Sequence, residues 1–200
     1  RVLRGCFEDA ALAGAPIERA YASAVDAAIA AGRWPLGPLA ARLEGAHREI
    51  LETWLRGWDG LGDAPARRVQ LGAADADRRG VEAAAPIVLT LADDPRDHGR
   101  PLRVELVGAT ELLRADASVS LLLWKKAGAA ARDEHLRQAL RAFFDHAALA
   151  LLGEGERARR SVQLLGDADA PVRVGLAPIS PGAARAWLTD LVTDLLGGAH

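Results

Sequence analysis

Apolar positions recur at helical spacing through the first sixty residues, and residues 7–58 read as helical. Ala20, Ala24, Ala27/Ala28 and Ala31 line one side of a helix that ends at Gly32. Trp34-Pro35-Leu36-Gly37-Pro38 predicts a turn. A second helix from about Leu39 to Trp58 carries Leu43, Ala46, Ile50/Leu51, Trp54/Leu55 and Trp58 on one face, and Gly57, Gly60 and Gly62 break it. Residues 59–85 show no clear period; we expect a loop with a little strand near Arg68–Leu71. Three β-like segments follow. Ile87–Ala92 alternates, Asp93–Gly99 turns the chain, and Leu102–Leu113 alternates again. Ser118–Lys125 is a leucine run ending in Trp-Lys, which suits a strand buried on both faces. An amphipathic helix from about Arg132 to Leu152 then places Leu136, Leu140, Phe143, Ala147 and Leu151 on one stripe, with Gly153 as its stop. Short strands are expected at Ser161–Leu165 and Val172–Leu176. Ser180 and Pro181 open a last helix as N-cap and first-turn proline, with Ala184, Trp187/Leu188, Leu191/Val192 and Leu195 on its buried face.

The order is helix, helix, three strands, helix, one or two strands, helix. It predicts an α/β (α+β) chain with a helical segment over 1–62 and an α/β core over 63–200, forming one compact domain. A three-stranded meander followed by a helix and a further strand is the core order of the restriction-endonuclease-like (PD-(D/E)XK-type) fold, though not of that fold alone.

Half of the 200 residues are apolar and 26% are charged, enough for a sizeable core. The basic residues are nearly all arginine, and Ala and Gly abound, a bias that fits a GC-rich bacterial genome. The net charge of −2 argues against a free-standing nucleic-acid binder, which needs Lys and Arg to neutralise phosphates. Cys6 is the sole cysteine, so no internal disulfide forms, and a cytoplasmic compartment fits. No apolar run approaches the ~18–20 residues of a membrane span, so no membrane role is expected. The chain opens on Arg1 and contains no Met, which reads as a piece of a longer polypeptide.

Four segments carry a family resemblance. Ala30-Ala31-Gly32-Arg33-Trp34-Pro35-Leu36-Gly37 is similar to an A-A-G-x-x-P-x-G turn. Leu140-Arg141-Ala142-Phe143-Phe144-Asp145-His146 is similar to an apolar-aromatic-acidic-His helix. Ser161-Val162-Gln163-Leu164-Leu165-Gly166 is similar to the strand after it. Leu176-Ala177-Pro178-Ile179-Ser180-Pro181-Gly182-Ala183-Ala184 is similar to an L-x-P-L-x-P-E-E-A lead into a last helix. In this order and spacing they resemble the C-terminal domain of exodeoxyribonuclease V gamma subunits (the RecC family). The resemblance implies a nuclease-like domain that does not cut. It would serve subunit assembly and DNA handling in double-strand-break repair and recombination, with the alpha and beta subunits and DNA as partners. It implies no cofactor in this domain, the Mg²⁺ and ATP being used by partner subunits.

Active members of that fold carry a G-x-x-D … D-x-K pattern. Phosphodiester hydrolysis there needs Mg²⁺, a hard cation held by carboxylate oxygens, and residues two apart on a strand share a face. Here Gly108-Ala109-Thr110-Glu111 keeps an acid in the first slot, while Leu123 replaces the second carboxylate and Lys125 survives. One remaining acid makes a poor Mg²⁺ site, so Glu111, Leu123 and Lys125 are vestigial positions and no metal is expected. Glu111 and Lys125 also read as a solvated acid and base at strand ends. The rival is an active Mg²⁺ nuclease with another carboxylate, Glu105 or Asp116, moved into the site; a further rival is a purely structural interaction module.

Lys125, Lys126, Arg132, Arg137 and Arg141 form a locally basic stretch that faces DNA or an acidic partner, or simply solvates a helix start. His135 and His146 share a helix face but lack the three- or four-residue spacing of helical metal ligands. The tryptophans offer stacking faces for bases, yet their helix and strand settings favour core or subunit contacts. Cys6 lacks a His-Asn context for a nucleophile, and no G-x-x-x-x-G-K-[ST] phosphate loop occurs.

Overall fold

The computed structural model describes residues 2–74, 78–91, 100–121, 129–154, 160–165 and 172–197. Helices α1 (Val2–Ala13), α2 (Ile17–Ala30) and α3 (Pro38–Asp59) come first. The apolar stripe of α1 buries Leu3, Phe7, Ala10 and Ala11. Phe7 sits edge-on between two α3 tryptophans, 5.4 Å from Trp54 and 5.5 Å from Trp58. Such T-shaped pairs set ring edges against ring faces and fix the helix crossing. The sequence pattern treated this region as one helix up to Gly32; Gly14 at φ 64° and Pro16 split it into α1 and α2.

Strands β1 (Ala66–Leu71), β2 (Val81–Ala84), β5 (Gly108–Ala109), β6 (Leu112–Arg114), β7 (Ala117–Leu121), β8 (Arg160–Leu165) and β9 (Val172–Gly175) form one mixed sheet in the order β2-β1-β6-β7-β8-β9, with β5 also on β1. β1, β6 and β7 pair antiparallel in succession. α4 (Ala129–Leu149) then carries the chain across to β8, which runs parallel to β7. β3 (Ile87–Leu91) and β4 (Leu102–Leu106) pair only with each other, as a separate hairpin. The chain is therefore mixed α/β, with five helices among the described residues.

The meander exists, but its members differ from those read from the sequence. β1, expected as a scrap of strand in a loop, is its first strand, and Ile87–Leu91 lies outside the sheet. The expected single strand Leu102–Leu113 divides into β4, β5 and β6. Val107 separates β4 from β5, and Gly108 at φ 140° takes a backbone conformation that side-chain-bearing residues rarely adopt as the chain leaves its pairing with β3 for one with β1.

One apolar cluster joins Leu3 and Phe7 of α1, Leu51, Trp54 and Trp58 of α3, and Ala66, Leu112, Val119 and Leu121 of the sheet. The helical segment and the sheet thus share a core across residue 62. On the other side, α4 and α5 (Pro181–Gly197) pack with the β3–β4 hairpin through Ala147, Ala150, Ala184, Leu188, Ile87 and Leu89. Ser180 caps α5 as expected, its Oγ accepting from the Ala183 N–H at 3.2 Å.

The buried face of α4 is rotated from the predicted stripe. Of that stripe Ala147 is buried, but Leu136 and Leu140 are 63% and 54% exposed, and Ala142, His146 and Leu149 are buried beside it. The reason is that small side chains let the helix backbone approach the sheet, and Leu149 fills the gap against Val69 and Leu113. Phe143 and Phe144 turn instead toward Trp187 of α5, at 4.7 and 5.1 Å.

Truncating Leu149 to Ala should cost about 2–5 kcal/mol, the range for buried leucines. Leu140→Ala should cost well under about 1 kcal/mol. Urea unfolding of both variants checks this, and equal losses would mean that the buried face has been misassigned.

Candidate functional site

The β1 ladder is irregular where β5 gives way to β6. Arg67 pairs with Leu113 but Gln70 pairs with Ala109, so the partner strand holds one residue more than β1 over this stretch. This is a β-bulge, and Thr110 and Glu111 occupy it. The Thr110 N–H donates to the Val69 carbonyl at 3.0 Å. In the place of a backbone carbonyl, the Thr110 hydroxyl accepts from the Val69 N–H at 3.1 Å and donates to the Glu111 carbonyl at 2.9 Å. The extra residue re-aims the strand, as bulges do beside functional sites, and it carries Glu111 into the interior.

The Glu111 side chain is 2% exposed. Bare, its charge would be costly there, and two guanidiniums offset it. Arg4 of α1 donates through Nη2 to Oε2 at 2.7 Å. Arg141 of α4 brings Nε to 2.5 Å from Oε1, an ion pair whose N–H is not aligned for a hydrogen bond. Arg4 also donates from Nε to Glu8 Oε1 at 2.7 Å, so one guanidinium spans two carboxylates. Glu8 Oε2 meets Arg68 of β1 at 3.0 Å. Burial pushes the Glu8 carboxyl up, but the hydrogen bonds from Arg4 and Arg68 outweigh it and hold the group below its ordinary range.

Asp145 of α4 closes the cluster. Its Oδ2 accepts from the Glu111 backbone N–H at 2.9 Å and ties helix to bulge. Burial above all, with the Glu111 charge added, pushes the Asp145 carboxyl up to about 7, against the opposing pull of that N–H, Arg141 and Arg68. Three acids thus face three arginines, drawn from α1, β1, the bulge and α4.

Glu111, expected at a strand end, is neither solvated nor free. Arg141 lies at this site and is committed to it. Arg137, one turn earlier, is exposed. Arg132 falls within α4, but its side chain lies outside the described residues, as do Leu123, Lys125 and Lys126 entirely. Glu105 stands on β4, paired with Arg103 at 2.9 Å. Asp116 is in the β6–β7 turn, whereas Glu111 precedes β6 at the hairpin's open end. Neither shares the cluster. Sequence reasoning missed Arg4, Glu8, Arg68 and Asp145. The i,i+4 spacing of Arg4 and Glu8, and an acid between Phe144 and His146, were the available signals.

A divalent cation bridging Glu8 and Glu111 would have to displace the Arg4 guanidinium. Among the described residues, no three His, Cys, Asp or Glu side chains gather as a set able to hold a metal ion. His146 is buried and donates from Nε2 to the Ala177 carbonyl at 2.9 Å, which orients α4 against the lead into α5. Trp34, Trp54 and Trp58 are buried. Burial raises the Cys6 thiol pKa, with Asp9 adding to the effect, so the thiol stays protonated. No protein-family model, curated protein sequence or solved structure matches this chain.

An aspartic acid whose pKa is higher folded than unfolded loses stabilising power as pH rises, because the native state binds the extra proton. For Asp145 the window runs from about pH 4, its unfolded value, to about 7. Glu8, shifted the other way, loses its contribution only as pH falls below its ordinary range. Asp145→Asn mimics the neutral acid and keeps an acceptor for the Glu111 N–H. Between pH 5 and pH 8 the wild type should therefore lose stability relative to Asp145→Asn. A pH-independent difference in denaturant midpoints would remove Asp145 from this role.

Proposed function

We propose that this chain is a non-catalytic, restriction-endonuclease-like domain of an exodeoxyribonuclease V gamma subunit. In this reading it works in the bacterial cytoplasm with the alpha and beta subunits, which use the ATP and Mg²⁺. It serves assembly and DNA handling in double-strand-break repair and recombination. Two things support the reading besides the resembling segments. The antiparallel run β1-β6-β7, followed by α4 and a parallel β8, follows the core order of that fold. In this reading the bulge at Thr110-Glu111 corresponds to the acid slot of the G-x-x-D … D-x-K pattern.

The observation that carries the non-catalytic part is the pairing of Glu111. Both of its oxygens face guanidiniums, from Arg4 and Arg141. Arginine cannot be deprotonated here and offers no lone pair. It neutralises the acid but supplies neither water activation nor leaving-group stabilisation of the kind a metal gives. One observation favours the second reading, a structural module without a DNA role. Arg141, one of the basic residues expected to reach DNA, is ion-paired with the buried Glu111, although its side chain stays 58% exposed. Forked-DNA titration with and without the partner subunits separates the two.

The purified chain should show no Mg²⁺- or Mn²⁺-dependent cleavage of single- or double-stranded DNA. Cutting that disappears in Glu111→Ala would sink the proposal. With a net charge of −2, the chain alone should bind forked DNA only weakly at near-physiological salt. Submicromolar affinity that survives added salt would contradict that expectation, since phosphate contacts are salt-sensitive.

A further inference from the structure

We infer that the valley between α2 and α3 is a docking groove for a basic amphipathic helix of a partner protein. Both walls are helical stripes. On α2 they include Val25 and Ile29, and on α3 Leu51 and Leu55, which give the cavity of about 600 Å³ an apolar floor. Ile29 is 45% exposed, an apolar side chain left facing solvent in that valley. Glu18, Asp26, Glu44 and Glu52 stand around this floor, against Arg48 as the single base. In a chain whose overall charge is only −2, four acids to one base in one groove is a local concentration of negative charge. No ion pair among the described residues involves any of the four acids.

The groove is held open before any partner arrives. At the α2–α3 turn, Val25, Ala28 and Trp34 pack together. Farther along, the Tyr21 hydroxyl and His47 Nδ1 are hydrogen-bonded at 3.0 Å and bridge the two helices. Preorganisation of this kind lowers the ordering cost of binding. From Glu18 to Ile29 the groove runs about 16 Å at ~1.5 Å per helical residue, or about three turns of a docked helix. An amphipathic helix meets such a groove with apolar anchors at i, i+3/i+4 and i+7. Lys or Arg beside those anchors would lie against the acids, whereas DNA would be repelled. The inference is independent of the nuclease-like reading, because none of these residues belongs to the Glu111 cluster.

The test uses a labelled synthetic helix of about four turns, with Leu at i, i+4, i+7 and i+11 and Lys at the flanking positions. Its counterpart carries Glu in place of every Lys. Fluorescence anisotropy with the whole chain should show saturable binding of the Lys peptide and none of the Glu peptide. The exposed double charge reversal Glu18→Lys/Glu52→Lys should weaken binding by at least about tenfold, and Glu105→Lys on β4 should not. Ala22 also lines the groove, and Ala22→Trp, which fills it, should abolish binding; if that variant fails to fold, the charge reversal decides alone. Equal binding of both peptides, no binding of either, or indifference to the charge reversal would each overturn the proposal. So would sedimentation showing that a second copy of the chain fills the groove, with a dimer that Glu52→Lys dissolves.

Discussion

A buried carboxylate must be neutralised from within, and much of this architecture answers to that constraint at Glu111. The desolvation penalty for an ion in the interior is several kcal/mol. It is offset only where cations and hydrogen bonds arrive with good geometry. Arg4 comes from the first helix and Arg141 from the fourth; the Thr110 bulge aims the acid, and Asp145 holds the backbone beneath it. Such a pairing adds little net stability relative to an apolar replacement, but removing one partner leaves the buried charge less compensated. Its consequence is positional. α1 and α4 must sit where their arginines reach one carboxylate, which fixes the position of both helices against the bulge.

The apolar packing is consistent with that tie. Leu3 and Phe7 face the α3 tryptophans, while Arg4 and Glu8, each one position further on, lie at the border of the same stripe. One helix therefore supplies a hydrophobic anchor and a charged one together. Arg114 repeats the device at the far end of β6. Its guanidinium lies 4.4 Å from the Trp58 ring and donates to the Trp58 and Ala64 carbonyls. Cation–π contact and backbone hydrogen bonds hold the end of α3 against the meander.

Helix periodicity was legible in the sequence because it is local. The runs ending at Gly32 and Trp58, the turn of Trp34–Pro38 and the Ser180 cap all follow from spacing and caps within a few residues. Strand membership was less so. Ala66–Leu71 lacks strict alternation, since it is a central strand with a bulged neighbour, and only the long-range ladder with β6 defines it. Ile87–Leu91 alternates well, yet its buried face meets α5 rather than the meander. The α4 stripe misled for a similar reason. Leu136 and Leu140 follow helical period, but the face pressed on the sheet is set by the Asp145–Glu111 bond and by alanine-sized clearance, which no hydrophobic pattern encodes. Glu111 was singled out from its slot in G-x-x-D, while its arginine partners lie 107 residues before it and on a later helix.

The form of the cluster bears on what the domain does. A metal-dependent nuclease needs carboxylates that can exchange a cation's waters for substrate oxygens, and so needs coordination positions left open. Guanidinium holds its partners by fixed, directional N–H groups and has no open position. Arg4 spans Glu8 and Glu111, so the charge that neutralises them is part of the chain. The cluster keeps helix, bulge and sheet in register, a fixed frame on which surfaces can be presented to partners. The acidic α2–α3 groove, open beside that fixed frame, is one such surface.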